Sequence, residues 1–192
     1  TDQARFYRPE SLGQPSARDA VANLYRRARL SLKANQIVLT PGTSLSYFYC
    51  FRLLGEAGDE ILCPRPSYPL FETIARICHL RLTSYRLQET CEWQIDLNYL
   101  ESQLTTRTKA IVLISPHNPT GSVASEAMLD RLADIAQRHQ IALIADEVFS
   151  DFIFDGTHYP RLACTSAPLV FTHNGFSKML ALPGMKLGWM AV

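Results

Sequence analysis

Two short apolar runs, Ala110-Ile-Val-Leu-Ile-Ser115 and Ile141-Ala-Leu-Ile-Ala145, bracket the clearest helical pattern in the chain. A strand with one wet face alternates apolar and polar residues. A strand without alternation has to be covered on both faces, as in the middle of a parallel sheet. Between the runs, from about Ser125 to His139, Leu129, Leu132, Ile135 and Ala136 recur on one helical face. Glu126 lies early in that segment and Arg138 and His139 late, as the helix dipole favours. Strand, crossover helix and parallel strand therefore set the fold class.

The rest of the chain repeats the theme. After a turn-rich lead-in, Tyr7-Arg-Pro-Glu-Ser-Leu-Gly13, the spacing predicts a helix capped by Ser16, with Asp19 as capping-box partner. Its inward face is Val21, Leu24, Tyr25 and Ala28. A strand at Ile37–Thr40 leads through Pro41-Gly-Thr-Ser44 into a helix with Leu45, Phe48 and Tyr49 inward, ended by Gly55. Glu60–Cys63 reads as a strand, and Pro69 opens a helix carrying Leu70, Ile74 and Ile77. A strand follows at Arg81–Leu87, then a short helix capped by Asp96 with Leu97, Leu100 and Leu104. Leu169–Thr172 and Leu187–Val192 complete seven strands. The expectation is one α/β domain over residues 1–192, a three-layer α/β/α arrangement around a seven-stranded, mainly parallel sheet.

With 47% hydrophobic and 19% charged residues and a net charge of +1, the chain offers no electrostatic case for nucleic acid or an anionic membrane surface. No run approaches transmembrane length. Cys50, Cys63, Cys78, Cys91 and Cys164 are odd in number and never spaced Cys-x-x-Cys, and the five histidines show no ligand spacing. Reduced, packed thiols in a cytoplasmic protein without a metal are the reading.

Ligands of parallel sheets bind beyond the carboxyl ends of the strands, and polar residues of interest fall there. Gly42-Thr-Ser44, between strand and helix, can present N–H groups, hydroxyls and a helix dipole to a phosphate; the same residues also suit a simple capped turn. Tyr68, in Pro66-Ser-Tyr-Pro69, could lie against a ring or simply pack in a turn. Ser115-Pro-His-Asn-Pro-Thr-Gly121 is more specific, because two prolines and a glycine restrict the loop and leave the Asn118 amide as a positioned donor. Asp146 ends an apolar strand, so its carboxylate is buried and needs a partner; a protonated ring nitrogen would supply one. Glu147 points to the other face and reads as structural. Lys178, in Asn174-Gly-Phe-Ser-Lys178, follows the apolar run Ala167–Phe171, a position suited to Schiff-base chemistry.

In this order the motifs resemble the class I/II aminotransferases, the fold type I pyridoxal-phosphate enzymes, from about Tyr7 to Val192. The resemblance rests on Ser-Pro-His-Asn-Pro-Thr-Gly, Asp146-Glu-Val-Phe149 and Ser177-Lys-Met-Leu-Ala-Leu-Pro-Gly-Met-Lys-Leu-Gly-Trp189. It implies that Lys178 holds pyridoxal 5'-phosphate as an aldimine and then acts as general base and acid in moving an amino group from an amino acid to a 2-oxo acid. It further implies that Asp146 pairs with the ring nitrogen, Asn118 bonds the phenolic oxygen and Tyr68 stacks. Gly42, Thr43, Ser44, Ser177 and Lys186 would hold the phosphate. Tyr7 would reach the phosphate of a neighbouring subunit, making a homodimer with shared active sites.

Two departures stand out. Lys186 replaces the family's usual arginine and loses its bidentate fork. Phe149 replaces a common tyrosine that bonds the phenolic oxygen, which implies a raised pKa for the bound chromophore. The resemblance also places the arginine that grips the substrate carboxylate beyond residue 192, so the chain reads as part of a large cofactor domain that would not transaminate efficiently alone. A carbon–sulfur lyase and the cofactor-binding sensor domain of an aminotransferase-like transcription regulator are the alternatives; Phe149, where such lyases often carry histidine, tilts the reading to transamination.

Overall fold

A computed structural model of the chain describes residues 6–28, 30–152, 154 and 159–192. Among the described residues, eight strands form one sheet: β1 (Ile37–Thr40), β2 (Glu60–Arg65), β3 (Arg81–Gln88), β4 (Gln94–Ile95), β5 (Thr108–Ile114), β6 (Ala142–Asp146), β7 (Val170–Gly175) and β8 (Gly188–Ala191). Their spatial order is β1-β8-β7-β6-β5-β2-β3-β4. The central run β3-β2-β5-β6-β7 is parallel throughout, while β8 pairs antiparallel with both β7 and β1, and β4 antiparallel with β3. The eighth strand is the two-residue β4, too short to carry a periodic signal.

Alternation sorts the core into two layers. Ile61, Cys63, Ala110, Val112, Ile114 and Ile144 pack with α2 (Thr43–Leu54) and α3 (Leu70–Ile77) on one face. Leu62, Ile111, Leu113, Leu143 and Ala145 pack with α4 (Leu97–Ser102) and α5 (Glu126–His139) on the other. Both sets are buried, which is why β5 and β6 show no alternation in sequence; each such Leu or Ile stabilises by about 1.5–3 kcal/mol. α1 (Pro15–Arg27) covers the antiparallel edge through Val21, Tyr25, Ile37 and Trp189.

The helix starts and stops are mostly local chemistry. Ser125 caps α5 by accepting from the Met128 N–H, and Asp96 caps α4 by accepting from the Tyr99 N–H. The expected cap at Ser16 is not made: α1 begins two residues earlier, with Pro15 in its first turn and Gln14 before it. Proline's fixed φ and missing N–H suit that place and leave Ser16 inside the helix.

Two helix faces differ from the expectation. α2 buries Ser46, Tyr47, Cys50 and Phe51, and leaves Leu45 and Tyr49 exposed. Its polar groups find partners inside: Ser46 shares a 2.8 Å hydrogen bond with Thr40 and bonds the Gly42 carbonyl. A face chosen by hydrophobicity alone misses this. In α3, Phe71, Ile74 and Ala75 face inward while Ile77 is 58% exposed at the last turn. Cys50, Cys63 and Cys78 are buried free thiols and Cys91 an exposed one; the side chain of Cys164 lies outside the described residues.

Candidate active site

The chain leaves β2 for β3 and β4 on one side, then returns on the other side of β2 as β5. That reversal opens a crevice beyond the strand ends. A cavity of about 100 Å³, open to solvent, lies at this edge. Its floor is made by the last residues of three adjacent strands, Ile114 of β5, Asp146 of β6 and Gly175 of β7. Tyr68 and Asn118, from the segments after β2 and β5, stand beside Thr43 at the start of α2, with Ser177 and Lys178 just past β7.

Lys178 sits on α6 (Phe176–Met179), a single turn that begins at the end of β7. Its approach is fixed by Gly175, where an added Cβ would meet the Gly188 Cα and the Leu187 oxygen at 3.0 Å. Asn174 is buried and donates to the Glu147 carbonyl and Ser150, while its oxygen accepts from the Gly175 N–H at 2.7 Å. The ammonium lies 5.9 Å from the centre of the Phe149 ring, inside cation–π range.

Asp146 is 9% exposed, with both oxygens engaged. The Tyr47 hydroxyl donates to Oδ2 at 2.8 Å and the Val148 N–H to Oδ1 at 3.1 Å. Burial raises the carboxyl above its ordinary value; the Val148 and Tyr47 hydrogen bonds and the charge of Lys178 pull it back. Its neighbour Glu147 is directed elsewhere. It is ion-paired with Arg161, itself mostly buried, and burial pushes its carboxyl up to about 7 in spite of that partner.

The loop after β5 is held from within. The Gly121 N–H donates to the His117 carbonyl at 2.7 Å, His117 Nδ1 shares a 2.8 Å bond with Thr120, and the Tyr159 hydroxyl donates to the Ser115 carbonyl. Asn118 emerges from this frame at the cavity. Gly42, with φ +110°, turns the chain into α2 and lies against Gly188, where a Cβ would meet the Gly42 Cα at 3.1 Å.

Of the residues singled out in the sequence, Lys178, Asp146, Asn118, Tyr68, Thr43 and Ser177 line this cavity together. Gly42, Ser44, Lys186 and Tyr7 do not. Lys186 is exposed, in the left-handed residue that ends the 3-10 turn Pro183–Met185, and Tyr7 is 92% exposed on the lead-in. The site also holds Tyr47, which sequence reasoning missed. It follows Thr43 by one helical turn and so shares its face; small Ser46 and Cys50 nearby were the signal of a helix close to the sheet. Among the described residues, no group of three His, Cys, Asp or Glu is placed to hold a metal ion, and no helix is long and apolar enough to cross a membrane.

The family profile described as "Aminotransferase class I and II" matches residues 2–192. Tyrosine aminotransferase of Mus musculus is 33% identical over 95% of this chain and 40% of its own length. Alanine aminotransferase of Mycobacterium tuberculosis is 34% identical over 95% and 43%. The solved structure of alanine aminotransferase from Pyrococcus furiosus superimposes with a TM-score of 0.91 and 30% identity, covering 99% of this chain and 49% of that one. The chain thus spans less than half the length of the curated relatives named here.

Proposed function

Because this chain belongs to the class I and II aminotransferases, whose members use pyridoxal phosphate, we propose that its cavity binds that cofactor and serves transfer of an amino group between an amino acid and a 2-oxo acid. The observation that carries the proposal is the pairing of Lys178 with Asp146 across one cavity, at the ends of adjacent parallel strands. The residues present fit the group. Asp146 is a buried carboxylate whose hydrogen bonds come from neutral donors, so a cationic ring nitrogen is a suitable further partner. The N-terminus of α2, with the Thr43 and Ser177 hydroxyls, suits a phosphate, and Tyr68 suits a ring face.

When bound, pyridoxal phosphate supplies an aldehyde for amines and a ring that withdraws electrons. The chain supplies the rest. Asp146 holds a proton on the ring nitrogen. The Asn118 amide donates to the phenolic oxygen. The Lys178 amine would hold the cofactor and, when free, would act as the base that takes the proton from the substrate's α-carbon and as the acid that gives it back. Phe149 and Ile114 give the cavity apolar walls that limit water. The proposal extends to a cytoplasmic homodimer, with exposed Tyr7 reaching a second copy.

Treatment of the protein with pyridoxal phosphate and then borohydride tests this directly. The expected result is a mass increase confined to the peptide holding Lys178 and absent in Lys178→Ala. No addition in the wild type, or addition at surface lysines alone, would remove the proposal.

A further inference from the structure

We propose that Tyr47 is a positioning residue that keeps Asp146 ionised and aimed into the cavity. This rests on the cofactor reading for its purpose, although its geometry stands without it. Tyr47 is 1% exposed and reaches Asp146 from α2, through the sheet's α2–α3 layer. Its ring is caged edge-on by Phe71 at 4.7 Å, His173 at 4.6 Å and Phe51 at 6.1 Å, which leaves the hydroxyl one direction. With the Val148 N–H on the other oxygen, the two donors pin the carboxylate plane from two sides.

Several titratable groups face this pair. Lys178 favours the ionised carboxylate, whereas Asp146 itself acts on the neighbouring Glu147 and Tyr159. Beneath Tyr47, burial pushes the Cys50 thiol up to about 12 and the Cys63 thiol further, and holds His173 down at about 3. All three are therefore neutral at working pH. Burial and the Asp146 charge also push the Tyr47 phenol well up, so it stays a donor. Without that donor the carboxyl is more basic, and a proton shared with a ring nitrogen moves towards Asp146, which weakens the ring as an electron sink.

The test follows the Asp146 carboxyl by ¹³C NMR with labelled aspartate, without added cofactor, in wild type, Tyr47→Phe and Tyr47→4-aminophenylalanine. The last keeps ring size and a weaker donor. The midpoint is expected to rise by about one unit in Tyr47→Phe and by less in the amino variant, with pyridoxal phosphate binding about tenfold weaker in Tyr47→Phe. An unmoved midpoint, or a shifted midpoint with unchanged binding, would overturn the proposal. If Tyr47→Phe does not fold, the amino variant against wild type decides. Should the wild type take up no pyridoxal phosphate, the cofactor reading fails separately, and the titration still reports on Tyr47.

Discussion

Asp146 and Glu147 are consecutive in the chain, both buried, and placed at the end of the same strand, yet their surroundings differ in kind. Glu147 has a guanidinium built beside it, and its backbone N–H is fixed to the His173 carbonyl at 2.9 Å. Asp146 receives only neutral donors at hydrogen-bond distance and opens onto a cavity. A carboxylate that serves the fold is given its counter-charge by the fold. One that serves a ligand is held in place and left to find its cation there.

Removing the built-in counter-charge is the harshest way to break this contrast. Arg161→Met should cost about 3–5 kcal/mol in urea unfolding, because Glu147 is left buried and unpaired, while the folded fraction binds pyridoxal phosphate as before. A cost below ~1 kcal/mol would show that the pair is not what holds Glu147.

His173, in register with Asp146 on β7, adds a pH dependence. Burial holds it at about 3, so the folded chain resists a proton that the unfolded chain accepts near pH 6.5. Its contribution is intact above that pH and is lost as pH falls towards 3, reaching on the order of 4 kcal/mol. Equilibrium unfolding from pH 7 to pH 4 should show this slope, and His173→Leu should flatten it.

Two changes, one in the cavity and one outside it, sharpen the ligand side of the comparison. Phe149→Tyr places a phenol where the apolar ring now lines the site, and should lower the apparent pKa of the bound chromophore by about one unit in an absorbance titration. An unchanged pKa would mean that the ring at 149 does not face the phenolic oxygen. Lys186→Ala should be the mildest, weakening cofactor binding by less than about threefold, since exposed charges contribute little. A tenfold loss in a fluorescence titration would put the Lys186 ammonium on the phosphate.

The sequence was most legible where one physical demand dominated. The strands at 110–115 and 141–145 and the helix between them had to be buried in one pattern, and Asp96 sits where only a cap makes sense. Lys178, Asp146 and Asn118 could be placed because each follows an apolar strand. What escaped was set by partners distant in sequence. The inward face of α2 is polar in part, because Thr40 and Asp146 satisfy Ser46 and Tyr47, and no local period reports that. Arg161 as the counter-ion of Glu147 likewise depends on a partner 14 positions away in sequence. The antiparallel pairings of β8 leave no trace in its composition.

The most direct measurement is a thermal melt with and without pyridoxal phosphate for Asp146→Asn and Glu147→Gln side by side. Asp146→Asn should keep or raise the wild-type midpoint in the absence of cofactor and lose most of the shift on adding it. Glu147→Gln should melt about 5–10 °C lower, from a loss of a few kcal/mol, and retain the full cofactor shift. If Asp146→Asn melts low and keeps the cofactor shift, the carboxylate at 146 serves the fold, and the division of labour between the two neighbours is wrong.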